Sequence, residues 1–266
     1  MKLEKPQLDI GLVTSDASKA RGFYREILGF REEEPRSFGA DAVQYRFRAG
    51  QQLIKLMDLP QKPDSHPSGI YDRIGYRVIA VLVDDLPALR KRIHATGRGT
   101  TEPRAIVGDL AISFAKDADG NMLELIGLPE PQGDDLADRL QIGLTVGDVE
   151  KSRDFYGRVL ELTEQPRLEM GKGLTRYAFS AGSTTLKFWC PGDGLPRAGG
   201  PIDRAVGIRF VTFSVADLDG LRGDLESRGA HTVVAPTRLA NGSRIMFVED
   251  PDGNWIEFAE PPGRSQ

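Results

Sequence analysis

One stretch of this chain occurs twice. Residues 8–28 read LDIGLVTSDASKARGFYREIL and residues 140–160 read LQIGLTVGDVEKSRDFYGRVL, so Leu8 recurs as Leu140 at an offset of 132 residues. The offset holds from YRFRAG at 45–50 to YAFSAG at 177–182, then slips by one residue before DADGNMLEL at 117–125 returns as DPDGNWIEF at 250–258. Composition cannot produce ordered agreement of that length. The chain is therefore two copies of one unit of about 130 residues, an ordinary domain size.

Each copy divides again. Residues 8–14 alternate, with Ile10 and Leu12 on one side and Asp9, Gly11 and Val13 on the other, as in a half-buried strand. Asp16 can cap a helix whose apolar positions Ala20, Phe23, Tyr24, Ile27 and Leu28 recur at helical spacing. Strands are predicted near 30–35, 42–48 and 51–57, which gives the order βαβββ. A connector over 59–75 leads to a second round: strand 77–83, helix 85–97, and strands near 101–106, 110–115 and 121–127. A polar, proline-bearing linker spans 129–138. The plan then repeats, so four modules are predicted at 8–58, 77–128, 140–190 and 206–260. Pairing them in chain order gives an N-terminal domain, 1–128, and a C-terminal domain, 139–266. The fold class is α+β, with two cupped, mixed sheets and the helices outside them.

Composition narrows the function. The 39% of hydrophobic residues lets each half bury a core, and a single cysteine, Cys190, excludes an internal disulfide. A net charge of −4, with acids and bases interspersed, offers no broad basic face for nucleic acid. No apolar run approaches the ~18 residues that span a bilayer, so a cytoplasmic location and no membrane partner are expected. A small-molecule ligand is the expected partner, and both monomer and homodimer fit.

Paired βαβββ modules, an opening strand followed by D-x-x-x-(S/A)-x-x-F-Y, and closing strands reading D-x-D-G-N-x-(I/L)-E-(L/F) together resemble the vicinal oxygen chelate superfamily. That group includes glyoxalase I, bleomycin-resistance proteins, fosfomycin-resistance enzymes and extradiol dioxygenases, and the tandem halves look most like the extradiol arrangement. The resemblance implies a central site fed by the first and last strands of each module. Its opening-strand positions, seven residues before each helix-capping aspartate, are Asp9, Val78, Gln141 and Phe210. Its closing-strand positions are Lys55, Glu124, Lys187 and Glu257. An extradiol site would need histidines at 141 and 210 beside Glu257 for a two-histidine, one-carboxylate iron centre. Gln141 and Phe210 stand there instead, and His66, His94 and His231 lie in a connector or at helix ends. No metal ligand is assigned and no cofactor is expected, with a divalent cation kept as an alternative.

A lysine and a glutamate are expected to share each cavity, Lys187 with Glu257 in the C-terminal half and Lys55 with Glu124 in the N-terminal half, because a buried charge is tolerated when paired. Glu257 and Lys187 are the predicted catalytic pair. Gln141, Thr145, Tyr177, Phe210, Thr212, Ser214 and Trp255 are the predicted ligand-binding wall, which suits an aromatic, oxygen-bearing molecule. Asp9, Lys55, Tyr76 and Glu124 form a second candidate cavity. Three readings stay open: a metal-independent lyase, isomerase or cyclase working through the Lys–Glu pair; a binding protein of the bleomycin-resistance kind; and a dioxygenase-like or glyoxalase-like metalloenzyme with atypical ligands.

Overall fold

The two halves exchange their sheets. In the computed structural model, which describes residues 2–38, 41–64, 69–106, 110–133, 136–171 and 173–263, the first module comprises β1 (Asp9–Val13), α1 (Ala17–Gly22), β2 (Arg31–Phe38), β3 (Ala42–Ala49) and β4 (Gln52–Asp58). The second comprises β5 (Gly75–Val83), α2 (Leu86–Ala95), β6 (Arg104–Ala105), β7 (Ala111–Lys116) and β8 (Met122–Gly127). The third comprises β9 (Leu140–Thr145), α3 (Val149–Asp154), β10 (Thr163–Glu164), β11 (Leu168–Gly171), β12 (Leu174–Ala181) and β13 (Thr184–Trp189). The fourth comprises β14 (Gly207–Ser214), α4 (Leu218–Ser227), β15 (His231–Arg238), β16 (Arg244–Glu249) and β17 (Trp255–Glu260).

One sheet runs β15-β16-β17-β14-β1-β4-β3-β2 and the other runs β10-β12-β13-β9-β5-β8-β7-β6, with β11 beside β12. The first module thus joins the fourth and the second joins the third, correcting the pairing in chain order. Both sheets are mixed. β1 lies parallel to β4 and antiparallel to β14, and β5 lies parallel to β8 and antiparallel to β9.

The connectors explain the exchange. β8 and β9 both flank β5, two inter-strand spacings or roughly 10 Å apart, so the short segment 128–139 bridges them within one sheet. The longer segments 59–74 and 190–206 carry the chain between sheets and hold each other, through Ile74 N–H to Pro196 O at 3.0 Å and Ala198 N–H to Ile74 O at 2.8 Å. Arg209 on β14 fastens the second connector by donating to the carbonyls of Ala198, Gly200 and Pro201.

Each half is still bound together, on its helical side. The tyrosine of each F-Y pair, expected only to pack, donates a hydrogen bond to the buried first aspartate of its own half's closing turn. Tyr24 reaches Asp117 at 2.6 Å and Tyr156 reaches Asp250 at 2.8 Å. Asp250 also accepts from the Asp252 and Asn254 backbone N–H groups and the Asn254 amide. Asp16, Asp85, Asp148 and Asp217 cap the four helices as predicted. One continuous core includes Leu12, Tyr24, Leu89, Ile142, Phe188, Phe213 and Phe258. At its centre Gln52, fully buried, donates to the carbonyls of Leu8 and Leu140 and to the Thr184 hydroxyl, and accepts from the Leu140 N–H at 2.6 Å. Gln52 and Thr184 are the same position in the two copies, so they meet where the halves cross. Among the described residues no helix is long and apolar enough to cross a membrane.

Candidate functional site

The exchange redistributes the predicted site residues into two sites. Asp9, Lys55, Phe210, Thr212, Ser214, Trp255 and Glu257 belong to the first sheet; Tyr76, Glu124, Gln141, Thr145, Tyr177 and Lys187 belong to the second. Lys187 and Glu257 therefore do not meet, and neither do Lys55 and Glu124. Lys55 pairs with Glu257, and Lys187 pairs with Glu124. Each lysine meets the glutamate of the other expected pair, because alternation fixes a residue's face but not which module completes its sheet.

In the first sheet Lys55 Nζ lies 2.8 Å from Glu257 Oε2 and 2.8 Å from Thr212 Oγ1, and Thr212 donates to the same Oε2 at 2.5 Å. The side chains of Lys55 and Glu257 are 13% and 10% exposed, so the pair is largely withdrawn from water without being sealed. An ammonium carries three donor protons, and two are used. Both hydrogen bonds to the carboxylate fall on Oε2, which leaves Oε1 and one Nζ proton for a ligand among the described residues. Strand register builds the cluster: Asp9 faces Thr212, Thr212 faces Glu257, and Lys55 lies beside Gly11. Asp9 accepts from the Leu53 N–H at 2.8 Å and pairs with Lys5 at 2.5 Å.

A cavity of about 390 Å³ opens beside the pair. Its charged walls are Lys5, Arg36, Arg46 and Lys55 against Asp9, Glu257 and Glu260; Gln44, Ser214, Asn241 and Ser243 add neutral polar groups, and Phe38, Leu53, Leu239 and Ile245 add apolar surface. Alternation alone did not reveal Arg36, Arg46 and the Asn241–Ser243 turn, because the outer strands of both modules fold in to bring them there.

Phe210 and Trp255 are not cavity walls. The Phe210 ring lies over Gly11, where an added Cβ would sit 2.2 Å from ring carbons, and it packs edge-on against Phe247 at 5.8 Å. Trp255 stacks tilted on Phe247 at 5.2 Å. With Val13, Met57 and Val206 these rings fill one end of the site face.

In the second sheet Lys187 bonds Glu124 and reaches Gln141 Oε1 at 3.5 Å. Trp189 lies against Gly143, where a Cβ would fall 2.8 Å from the ring; its Nε1 donates to Thr145 at 2.9 Å, and Tyr71 meets the indole edge-on. The predicted site residues of the C-terminal half thus divide between this site and the open one. Two predicted wall residues lie elsewhere. Tyr177 stacks on Phe188 at 5.6 Å on the core side of β12, opposite to Lys187. Tyr76 also turns to the core, because a bulge between Tyr76 and Val78 breaks the alternation, and its hydroxyl donates to the Trp255 carbonyl at 3.1 Å.

The donor set of the open site does not fit a metal. An ammonium stands 2.8 Å from the carboxylate that would ligate, a phenyl ring occupies the second opening position, and no cluster of three His, Cys, Asp or Glu side chains able to hold a cation occurs among the described residues. His94 pairs with Thr100 and His231 with Glu249, both exposed and away from either site, and His66 lies outside the described residues.

The model of the Glyoxalase/Bleomycin resistance protein/Dioxygenase superfamily matches residues 7–125 and 139–258. Glyoxalase I from Zea mays superposes with a TM-score of 0.75 at 20% identity, covering 95% of this chain and 91% of that one. A point variant of that enzyme gives 0.76 at 21%, with the same coverage. A putative dioxygenase from Bacillus subtilis gives 0.68 at 16%, covering 99% and 86%. At these identities the likeness shows the fold alone. No curated protein matches the sequence.

Proposed function

Because the chain belongs to the Glyoxalase/Bleomycin resistance protein/Dioxygenase superfamily, we propose that its open site performs proton transfer next to a carbonyl without a metal, on a small oxygenated organic molecule. The carrying observation is the Lys55–Glu257 pair at 2.8 Å on the wall of a ligand-sized cavity, with one donor and one acceptor still to be used. Glu257 takes a proton from the carbon beside the substrate carbonyl, and the electron pair moves onto that oxygen. The remaining Lys55 proton bonds the enolate oxygen as its charge develops, a role that a fixed cation performs well in a partly desolvated site. Return of the proton to the same or a neighbouring carbon completes exchange or isomerisation. Thr212 bonds both partners and holds them in register.

The test uses purified, chelator-treated protein in D2O with a panel of 2-oxo and 3-oxo compounds, and NMR follows deuterium entry beside the carbonyl. Entry above the buffer rate that disappears in Glu257→Gln supports the reading. Binding of a panel member without any exchange identifies a sequestering protein instead, and exchange restored only by added divalent metal identifies a metalloenzyme.

A further inference from the structure

We infer that Arg36 and Arg46 form an anion subsite in the open cavity, which makes the ligand an organic monocarboxylate with a carbonyl close to its carboxylate. This rests on the reading of that cavity as the ligand site, and it specifies the substrate class.

Three observations carry it. Arg46 on β3 is the direct cross-strand neighbour of Lys55 on β4, so its guanidinium and the Lys55 ammonium stand on one face at adjacent positions, about 5 Å apart at Cβ. Arg46 reaches Glu33 at 3.1 Å, but Glu33 is shared with Arg48, and the Arg46 Nε is buried with no hydrogen-bond partner. A guanidinium carries five N–H donors, so Arg46 keeps donors beyond its contact with Glu33, and its side chain, 15% exposed, lines the cavity where a ligand oxygen can accept. Arg36, from the edge strand β2, lines the same cavity and has no ion-pair partner among the described residues. Burial first, and then the positive charge of Arg36, hold the Arg46 guanidinium below its ordinary range, so an arriving anion relieves two like charges at once.

The charge count sets the valence. Among the described residues Lys5 is paired with Asp9, Lys55 with Glu257, and Arg46 shares Glu33 with Arg48, so the unmatched positive charge at the cavity is that of Arg36, which suits a monoanion. Planar guanidinium forks match a carboxylate in bidentate geometry. Because Arg46 and Lys55 are cross-strand neighbours on one face, a carboxylate on the guanidinium leaves a 2-oxo or 3-oxo group on the side of the ammonium, with Phe38, Leu53, Leu239 and Ile245 as the apolar surface of the cavity.

The experiment titrates full-length protein with phenylpyruvate, its methyl ester and phenylphosphonate, and follows the arginine Nε–H resonances by NMR alongside deuterium exchange. The expected result is a saturable shift of the Arg46 Nε–H with phenylpyruvate and none with the ester. Arg46→Gln should weaken phenylpyruvate by about tenfold or more, as expected on losing a charge-assisted hydrogen bond, and Arg36→Gln should weaken it less. Glu257→Gln should retain this binding while losing exchange. Equal response to the ester, unchanged affinity in Arg46→Gln, tighter binding of phenylphosphonate, or no saturable shift at the Arg46 Nε–H overturns the carboxylate subsite. Exchange that persists in Arg46→Gln with the ester sinks the subsite and spares the proton-transfer reading; carboxylate binding with no exchange does the reverse.

Discussion

Lys55→Met and Glu257→Gln, made singly and together, test the crossed pairing. The two side chains are 13% and 10% exposed and their charged atoms are 2.8 Å apart, so each single change strands a largely buried charge. Losses of that kind run to about 3 kcal/mol or more, whereas removing both partners restores most of the stability. In a chain of this size such a loss lowers the melting temperature by roughly 6–12 °C. Equilibrium urea unfolding of the four proteins gives the coupling energy, expected above about 3 kcal/mol, since the two single losses sum to about 6 and the double variant keeps well under half of that. The control cycle replaces Lys55 with Lys187: Lys187 lies in the other sheet, so Lys187→Met and Glu257→Gln should add to within about 0.5 kcal/mol. Additivity between positions 55 and 257, or strong coupling between 187 and 257, would refute the exchanged sheets and the site built on them.

Gln52→Leu should be among the most damaging single changes in the core, since it orphans the Leu140 N–H and the Leu8 and Leu140 carbonyls in a fully buried setting. A loss of about 3–5 kcal/mol is expected, read by urea unfolding, and a change within experimental error would remove its role as a clasp between halves. Burial pushes the Asp250 carboxyl up from 3.8 to about 6. The folded state therefore binds the proton more tightly than the unfolded state, and stability contributed there falls as pH rises from about 4 to about 6. The two values correspond to about 3 kcal/mol at 1.36 kcal/mol per pH unit. Asp250→Asn should flatten that part of the stability profile, and an unchanged slope would count against the assignment.

Helices and strands were legible because the signals are local. The alternation at 8–14, the aspartates that cap each helix, and the D-x-D-G-N turns each act within a few residues, and each recurs at the expected place. The pairing of modules was not legible from the repeat, since β5, β9 and β14 all offer β1 a similar antiparallel edge. Its signal lay in connector length: the short linker keeps the second and third modules in one sheet, and the long segments cross between sheets. Gly11 carried a second signal, because the ring against it comes from the fourth module, whereas the ring against Gly143 comes from its own. Each is small because an aromatic ring, Phe210 or Trp189, lies against it. Tyr76 was misplaced because a bulge is invisible to a strict period of two, and Tyr177 because its register with Phe188, not Lys187, sets it on the core side of β12. Arg36 and Arg46 lie on outer strands whose charges read as solvated until the sheet brings them to the cavity.

The proposal that the Lys55 ammonium takes the place of a metal is tested most directly by loading. Purified protein is dialysed separately against Mn2+, Ni2+ and Zn2+, excess ion is removed, and bound metal is measured by elemental analysis beside the Glu257→Gln variant. The ammonium beside Glu257 and the ring of Phe210 should leave the protein with substoichiometric metal that is equal in the two proteins and does not raise the melting temperature. One metal per chain, retained by the wild-type protein and lost in Glu257→Gln, would contradict it.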